Sequence, residues 1–134
     1  MPRIGLSGVR YLGIDYGSKR IGLALSDPEG HMAFPHSSVP DLGGVLRVIA
    51  REGVGVAVIG MPVPFGGGES AQGQSVRAFA ERLRAAVELP IEFENEALTT
   101  KIAEEHALPR GADASAAALI LQSYLDRLNA KSKT

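Results

Sequence analysis

Three carboxylates stand where secondary-structure elements should begin or end. Asp15 closes an apolar strand, Glu96 closes another, and Asp113 opens the last helix. Oxygen-only donors select hard cations, so this set implies Mg²⁺ or Mn²⁺, as one ion or two. Two such ions about 3.5–4 Å apart can activate a water and stabilise the leaving oxygen of a phosphodiester. Each residue also has a plainer use. Asp113 precedes Ala114-Ser115-Ala116-Ala117 as an N-cap would, Glu96 suits a solvated strand end, and Asp15 can initiate a turn. Their shared placement at element ends favours the joint chemistry. Basic residues flank them: Lys19 and Arg20 in the first turn, Lys101 after Thr99 and Thr100, and Arg110 ahead of Asp113. Thr99 and these four are the candidate phosphate contacts.

The elements that must position these groups follow from the pattern. The run LGIDYGSKRIGLALSD, Leu12 to Asp27, reads as a β-hairpin with Leu12 and Ile14 on one face and Tyr11, Gly13 and Asp15 on the other. Gly17 and Gly22 permit close approach of another backbone or a phosphate. His31 to Val39 is a third strand, and Pro35 makes it an edge or interrupted one. Asp41 caps a helix with Leu42, Val45, Leu46 and Ile49 at helical spacing and Gly53 as its stop. Val54 to Ile59 is apolar on both faces, as a central strand is, and leads through Gly60-Met61-Pro62 into a glycine-rich loop ending at Gly68.

Residues 70 to 88 form an amphipathic helix that buries Val76, Phe79, Ala80, Leu83 and Val87 and wets Arg77, Glu81, Arg84 and Glu88. After Leu89-Pro90, Ile91 to Glu96 is a fifth strand, with Glu94 and Glu96 on one face and Asn95 on the other. A short helix starts near Leu98. The last helix runs from about Asp113 to Leu128, burying Ala114, Ala117, Ala118, Leu121, Leu125 and Leu128. The sum is an α/β fold with a mixed five-stranded sheet, an antiparallel meander followed by parallel strands joined through crossovers. Sites in such sheets lie outside the carboxyl ends of the strands. Asp15, the 60–68 loop and Glu96 all fall there.

Composition sets the outer limits. With 134 residues and 45% hydrophobic content, residues 1–134 are expected to form one domain, with flexible ends at 1–8 and 129–134. The absence of cysteine excludes disulfides and thiolate metal sites and suits a reducing compartment. There is no apolar signal region and no run of membrane-spanning length, so a cytoplasmic protein without a membrane partner is expected. A net charge of −1 gives no global pull toward nucleic acid; binding must be local and transient. Aromatic content of 5% leaves little for a base-stacking platform. Pro64 to Ser70 lacks the Gly-Lys-Ser/Thr ending of a P-loop, and His31, His36 and His106 show no ligand spacing.

LGIDYGSKRIGLALSD, the VIGMP turn, the helix around VRAFAERLR, the segment ENEALTT and DASAAALILQSYLDRL together resemble the YqgF/RuvX family, in family order from about Val9 to Leu128. These are RNase H-like proteins described as Holliday-junction resolvases and as pre-16S rRNA processing nucleases. The resemblance implies an RNase H-like fold and a metal-dependent nuclease site. Matched block by block, the family's acidic residues fall on Asp15, Glu96 and Asp113. The chain departs from the pattern where the family commonly has Asp-Glu-Arg-Leu-Thr, reading Asn95-Glu96-Ala97-Leu98-Thr99 instead. The change at Ala97 removes a possible phosphate contact. The leading expectation is a nuclease acting on structured RNA, the precursor of 16S rRNA, at its 5′ end. The alternatives are a homodimeric resolvase of branched DNA and a non-catalytic nucleic-acid scaffold with a degenerate site. A sugar-kinase-like or actin-like ATPase needs a second domain that this length does not supply.

Overall fold

The computed structural model describes residues 9–62, 70–96 and 112–132, excluding the side chains at 112, 113, 131 and 132. Strands β1 (Arg10–Tyr16), β2 (Ile21–Ser26) and β3 (Ala33–Val39) are followed by helix α1 (Leu42–Glu52) and strand β4 (Val54–Met61). Helix α2 (Ala71–Ala86), strand β5 (Ile91–Asn95) and helix α3 (Ala112–Ser132) complete the described elements. The sheet order is β3-β2-β1-β4-β5. β1–β2 and β2–β3 are antiparallel, whereas β1–β4 and β4–β5 are parallel. This is the expected mixed sheet.

Alternation along the strands builds two cores. Leu12, Ile14, Leu23, Leu25, Ala57 and Ile59 pack under α1 and α2, against Val45, Val48, Val76, Phe79 and Leu83. Tyr11, Ala24, Val56 and Val58 face the other way, against Ala117, Ile120, Leu121, Tyr124 and Leu125 of α3. Strands β1, β2 and β4 are therefore covered on both sides, which explains their nearly continuous apolar composition. Among the described residues, no helix is long and apolar enough to cross a membrane.

Local chemistry sets the boundaries. Asp41 accepts a hydrogen bond from the Gly44 N–H at 3.1 Å and caps α1; Gly53, at φ 66°, ends it in the left-handed region. Ser70 accepts from the Gly73 N–H at 3.0 Å and caps α2. Pro35 does lie in an edge strand, close to a register shift at Leu23/Ala24. The short helix expected near Leu98 lies outside the described residues.

The last helix differs most from expectation. It starts at Ala112 and continues past Leu128 to Ser132. Its C-terminal half is tied to the β2–β3 connection: the Ala33 N–H donates to Gln122 Oε1 at 2.9 Å, Gln122 Nε2 donates to the His31 carbonyl at 2.9 Å, and Asn129 Nδ2 donates to the Gly30 carbonyl at 3.1 Å. The last of these bonds involves Asn129, the first residue of the polar tail. Its buried stripe is also rotated. Ile120 and Tyr124 join Ala117, Leu121 and Leu125 in the core, while Ala114, Ala118 and Leu128 are only half-buried.

Candidate nuclease site

Asp15 is the penultimate residue of β1 and is half-buried on the α3 face. Its partner in β2 is Gly22. On the other side, the β1–β4 register pairs Ile14 with Ile59, and one step further sets Asp15 beside Gly60. Glycine thus flanks the carboxylate in both neighbouring strands.

Gly60 connects Asp15 to Glu96. It pairs with Glu94 in β5, and Glu96 follows immediately after that strand. A Cβ at Gly60 would lie 3.2 Å from Glu96 Oε1 and 2.5 Å from Ile120 Cδ1. The Glu96 carboxylate therefore lies over the backbone of β4, on the face that Asp15 shares. Here the sequence alternation and the structure agree.

The direction of α3 brings position 113 to the same end. A Cβ at Gly13 would meet the Ala117 carbonyl and Leu121 Cβ, each at 2.7 Å, while the rings of Tyr11 and Tyr124 stand 6.0 Å apart. Moving up β1 from residue 11 to 13 thus corresponds to moving back along α3 from residue 124 to 117. Asp15, about 6–7 Å beyond Gly13, then faces the turn of α3 about 6 Å before Ala117, where residue 113 sits. Because α3 begins at Ala112, Asp113 falls inside the first turn instead of preceding the helix. Among the described residues, whose side chains do not include Asp113, no three acidic or histidine side chains form a metal-ligand set.

The basic candidates divide. Lys19 and Arg20 are exposed in the turn closed by the Gly17 N–H and the Arg20 carbonyl at 3.0 Å, at the Asp15 end of β1. Arg20 donates from Nε to Ser38 Oγ at 2.9 Å, which directs its guanidinium toward β3. Thr99, Lys101 and Arg110 lie outside the described residues, as do Ala97 and the glycine-rich loop before Ser70. The start of α2 is fixed beside the site: Gln72 Nε2 donates to the Tyr16 carbonyl at 3.1 Å, and Tyr16 stacks on Phe79 at 4.6 Å.

The sequence assigns one further carboxylate, Glu94, only to a face of β5. Glu94 is buried, at 3% exposure, and accepts from Ser123 Oγ at 2.7 Å and from the Arg127 guanidinium. Its signal in the sequence was the pairing of Glu94 with a Ser123/Arg127 spacing of four on the last helix, a single helical face. A cavity of about 210 Å³ lined by Glu92, Tyr124, Arg127 and Leu128 adjoins it. Glu92 is two residues before Glu94, so this cavity lies toward the opposite end of the face from Asp15.

The sequence and the fold both have counterparts among known proteins. The family model described as "RuvX: Holliday junction resolvase" matches residues 9–127. A protein of Anaeromyxobacter sp. (strain Fw109-5), named "Putative pre-16S rRNA nuclease", is 40% identical, the match covering 88% of this chain and 97% of that protein. A relative of the same name from Moorella thermoacetica is 39% identical, over 90% of this chain and 96% of its own. Among solved structures, Thermus thermophilus RuvC in complex with a Holliday junction substrate superposes with a TM-score of 0.58 at 14% identity, covering 87% of this chain and 93% of RuvC. That likeness shows the RNase H-like fold. The match across both sheet halves and α3 leads to one conclusion: the chain belongs to the RuvX family of nucleases.

Proposed function

We propose that this chain is a divalent-metal-dependent phosphodiester hydrolase that processes the 5′ end of pre-16S rRNA in the cytoplasm. Asp15, Glu96 and Asp113 would hold one or two Mg²⁺ or Mn²⁺ ions. The observation that carries this reading is the Glu96 carboxylate lying over side-chain-free Gly60, next to Asp15 on the adjacent strand. The donors are all oxygen and stand at one end of the sheet, so their chemistry fits a small hard cation. When bound, such ions supply Lewis acidity to the phosphodiester and lower the pKa of a water.

The chain's own residues do the positioning. The rigid sheet holds Asp15 and Glu96 at fixed strand ends, so little reorganisation remains once substrate arrives. Lys19, in the exposed β1–β2 turn, reaches toward the substrate backbone, and Arg20 is directed by Ser38. Thr99, Lys101 and Arg110 are the remaining proposed contacts. The relatives named for pre-16S rRNA support RNA as the substrate.

The family description favours a second reading, resolution of a four-way DNA junction. Symmetric cutting would require two sites and therefore a homodimer. The two readings separate in one experiment. A precursor rRNA fragment and a mobile four-way junction are each incubated with Mg²⁺, Mn²⁺ or EDTA, with wild type and Asp15→Asn. Metal-dependent RNA cleavage, absent in the variant, is expected. Cutting of the junction alone would transfer the assignment to the second reading, and binding without cutting would make the chain a scaffold.

A further inference from the structure

Among the described residues, strand β5 is an edge strand, paired only with β4. Its α2 face is anchored by Ile91 and Phe93, with Arg77 over the Phe93 ring at 5.6 Å. Its α3 face carries Glu92, Glu94 and, just beyond the strand, Glu96. That face offers no apolar side chain to α3, so hydrophobic packing does not hold the edge against the helix. Glu94 does so instead. Its carboxylate is buried, and a buried charge is tolerated only with partners. Ser123 Oγ donates to one oxygen at 2.7 Å and Arg127 donates to the other. Arg127 also lies over the Tyr124 ring at 5.7 Å, which limits where its guanidinium can go. Charge-assisted bonds of this kind are short and directional.

We propose that Glu94, clasped by Ser123 and Arg127, is a positioning residue that sets the Glu96 carboxylate relative to α3 and thereby tunes the divalent-cation affinity of the site; this rests on the metal-dependent nuclease reading. The clasp joins the two elements that bear Glu96 and Asp113. Glu96 is two residues beyond Glu94 on the same face, and position 113 lies ten residues, about 15 Å, before Ser123 along α3. Gathered carboxylates repel one another until a cation arrives. An edge strand without the clasp can yield to that repulsion, and Glu96 then swings off Gly60. Partners that orient metal ligands in this way typically change metal affinity by about 10- to 100-fold when lost.

The test measures Mn²⁺ binding directly, by the paramagnetic resonance of free Mn²⁺ without RNA, alongside the Mn²⁺ dependence of RNA cleavage and the thermal midpoint. Glu94→Ala is expected to weaken Mn²⁺ binding about 10- to 100-fold. Its cleavage rate should recover toward wild type at saturating Mn²⁺. Glu94→Gln keeps an acceptor for Ser123 but turns an NH2 toward the Arg127 guanidinium, so its Mn²⁺ binding should fall between those of wild type and Glu94→Ala. A folded Glu94→Ala that binds Mn²⁺ like wild type overturns the proposal. If that variant melts below the assay temperature, Ser123→Ala decides the matter. Weaker binding supports the clasp, and unchanged binding overturns it. Asp15→Asn separates the two levels. If it binds Mn²⁺ as well as wild type does, or if wild type binds none, the metal-site reading fails and the clasp with it. If only the Glu94 and Ser123 variants are silent, the clasp alone fails.

Discussion

Glu96 Oε1 stands 3.2 Å from the point that a Cβ on Gly60 would occupy, so the absence of one methyl group defines where this carboxylate rests. Ile120 Cδ1, at 2.5 Å from the same point, would have to move as well. Gly60→Ala should therefore cost about 1–3 kcal/mol by overpacking. Cleavage should fall by about one to two orders of magnitude as Glu96 is displaced. Denaturant unfolding and single-turnover cleavage, measured together, check both effects. Wild-type cleavage in a destabilised Gly60→Ala would show that Glu96 does not work from this position.

Asp15→Asn and Glu96→Gln remove charge without removing bulk at half-buried positions. Both variants should stay folded and cleave no faster than wild type in EDTA. The unfolding temperature provides an independent reading. Mn²⁺ at about 100 times its dissociation constant stabilises a protein that binds it only when folded by about 2.7 kcal/mol. Wild type should show that upward shift, EDTA should reverse it, and Asp15→Asn should lack it.

Gly13 supports the site from below. With the Ala117 carbonyl and Leu121 Cβ each 2.7 Å from its missing Cβ, any side chain there pushes α3 off β1. Gly13→Ala is expected to destabilise by about 1–3 kcal/mol, and the bulkier Gly13→Val by more. Urea midpoints for the two variants, ranked in that order, are the check. A neutral Gly13→Val would mean that α3 does not pack this closely.

Tyr124 should make stability fall in alkaline solution. Burial chiefly, then the nearby Glu92 charge and Tyr11, push its hydroxyl from 10.0 up to about 12, with Arg127 pulling the other way. Since the folded form holds its proton longer than the unfolded form, the stabilisation is complete below about pH 10 and lost as pH rises toward about 12. Ultraviolet titration of tyrosinate should show one late-ionising group that disappears in Tyr124→Phe. A Tyr124 that ionises at the ordinary value would contradict its burial between α3 and the sheet, beside Tyr11.

Much of this was legible in the chain. Alternation placed Asp15 with Tyr11 and Gly13, and Glu96 with Glu94, on single faces, because a strand offers only two directions. Asp41 and Gly53 marked α1 through the hydrogen bond and the backbone angle that those residues supply. The nearness of Asp15 to Glu96 was harder to see, since it depends on the parallel register of β1 and β5 to the intervening β4. Periodicity within one segment carries no information about that alignment. The stripe of α3 was misjudged for a related reason. A helix rich in alanine, with leucine and isoleucine on several sides, shows little contrast between faces, and packing over Gly60 and beside Tyr11 puts Ile120 and Tyr124 in the interior.

The burial of Tyr11, Val56 and Val58 beneath α3 has a consequence for biogenesis. While the chain emerges during translation, β1 to β5 are complete before residues 112–132 appear. Until then one side of the sheet is a bare oily surface, open to chaperones and to association with other nascent chains. Position 113 also arrives only with that covering helix. In the site proposed above, the newly made protein thus gains its third acidic position at the step that seals its interior.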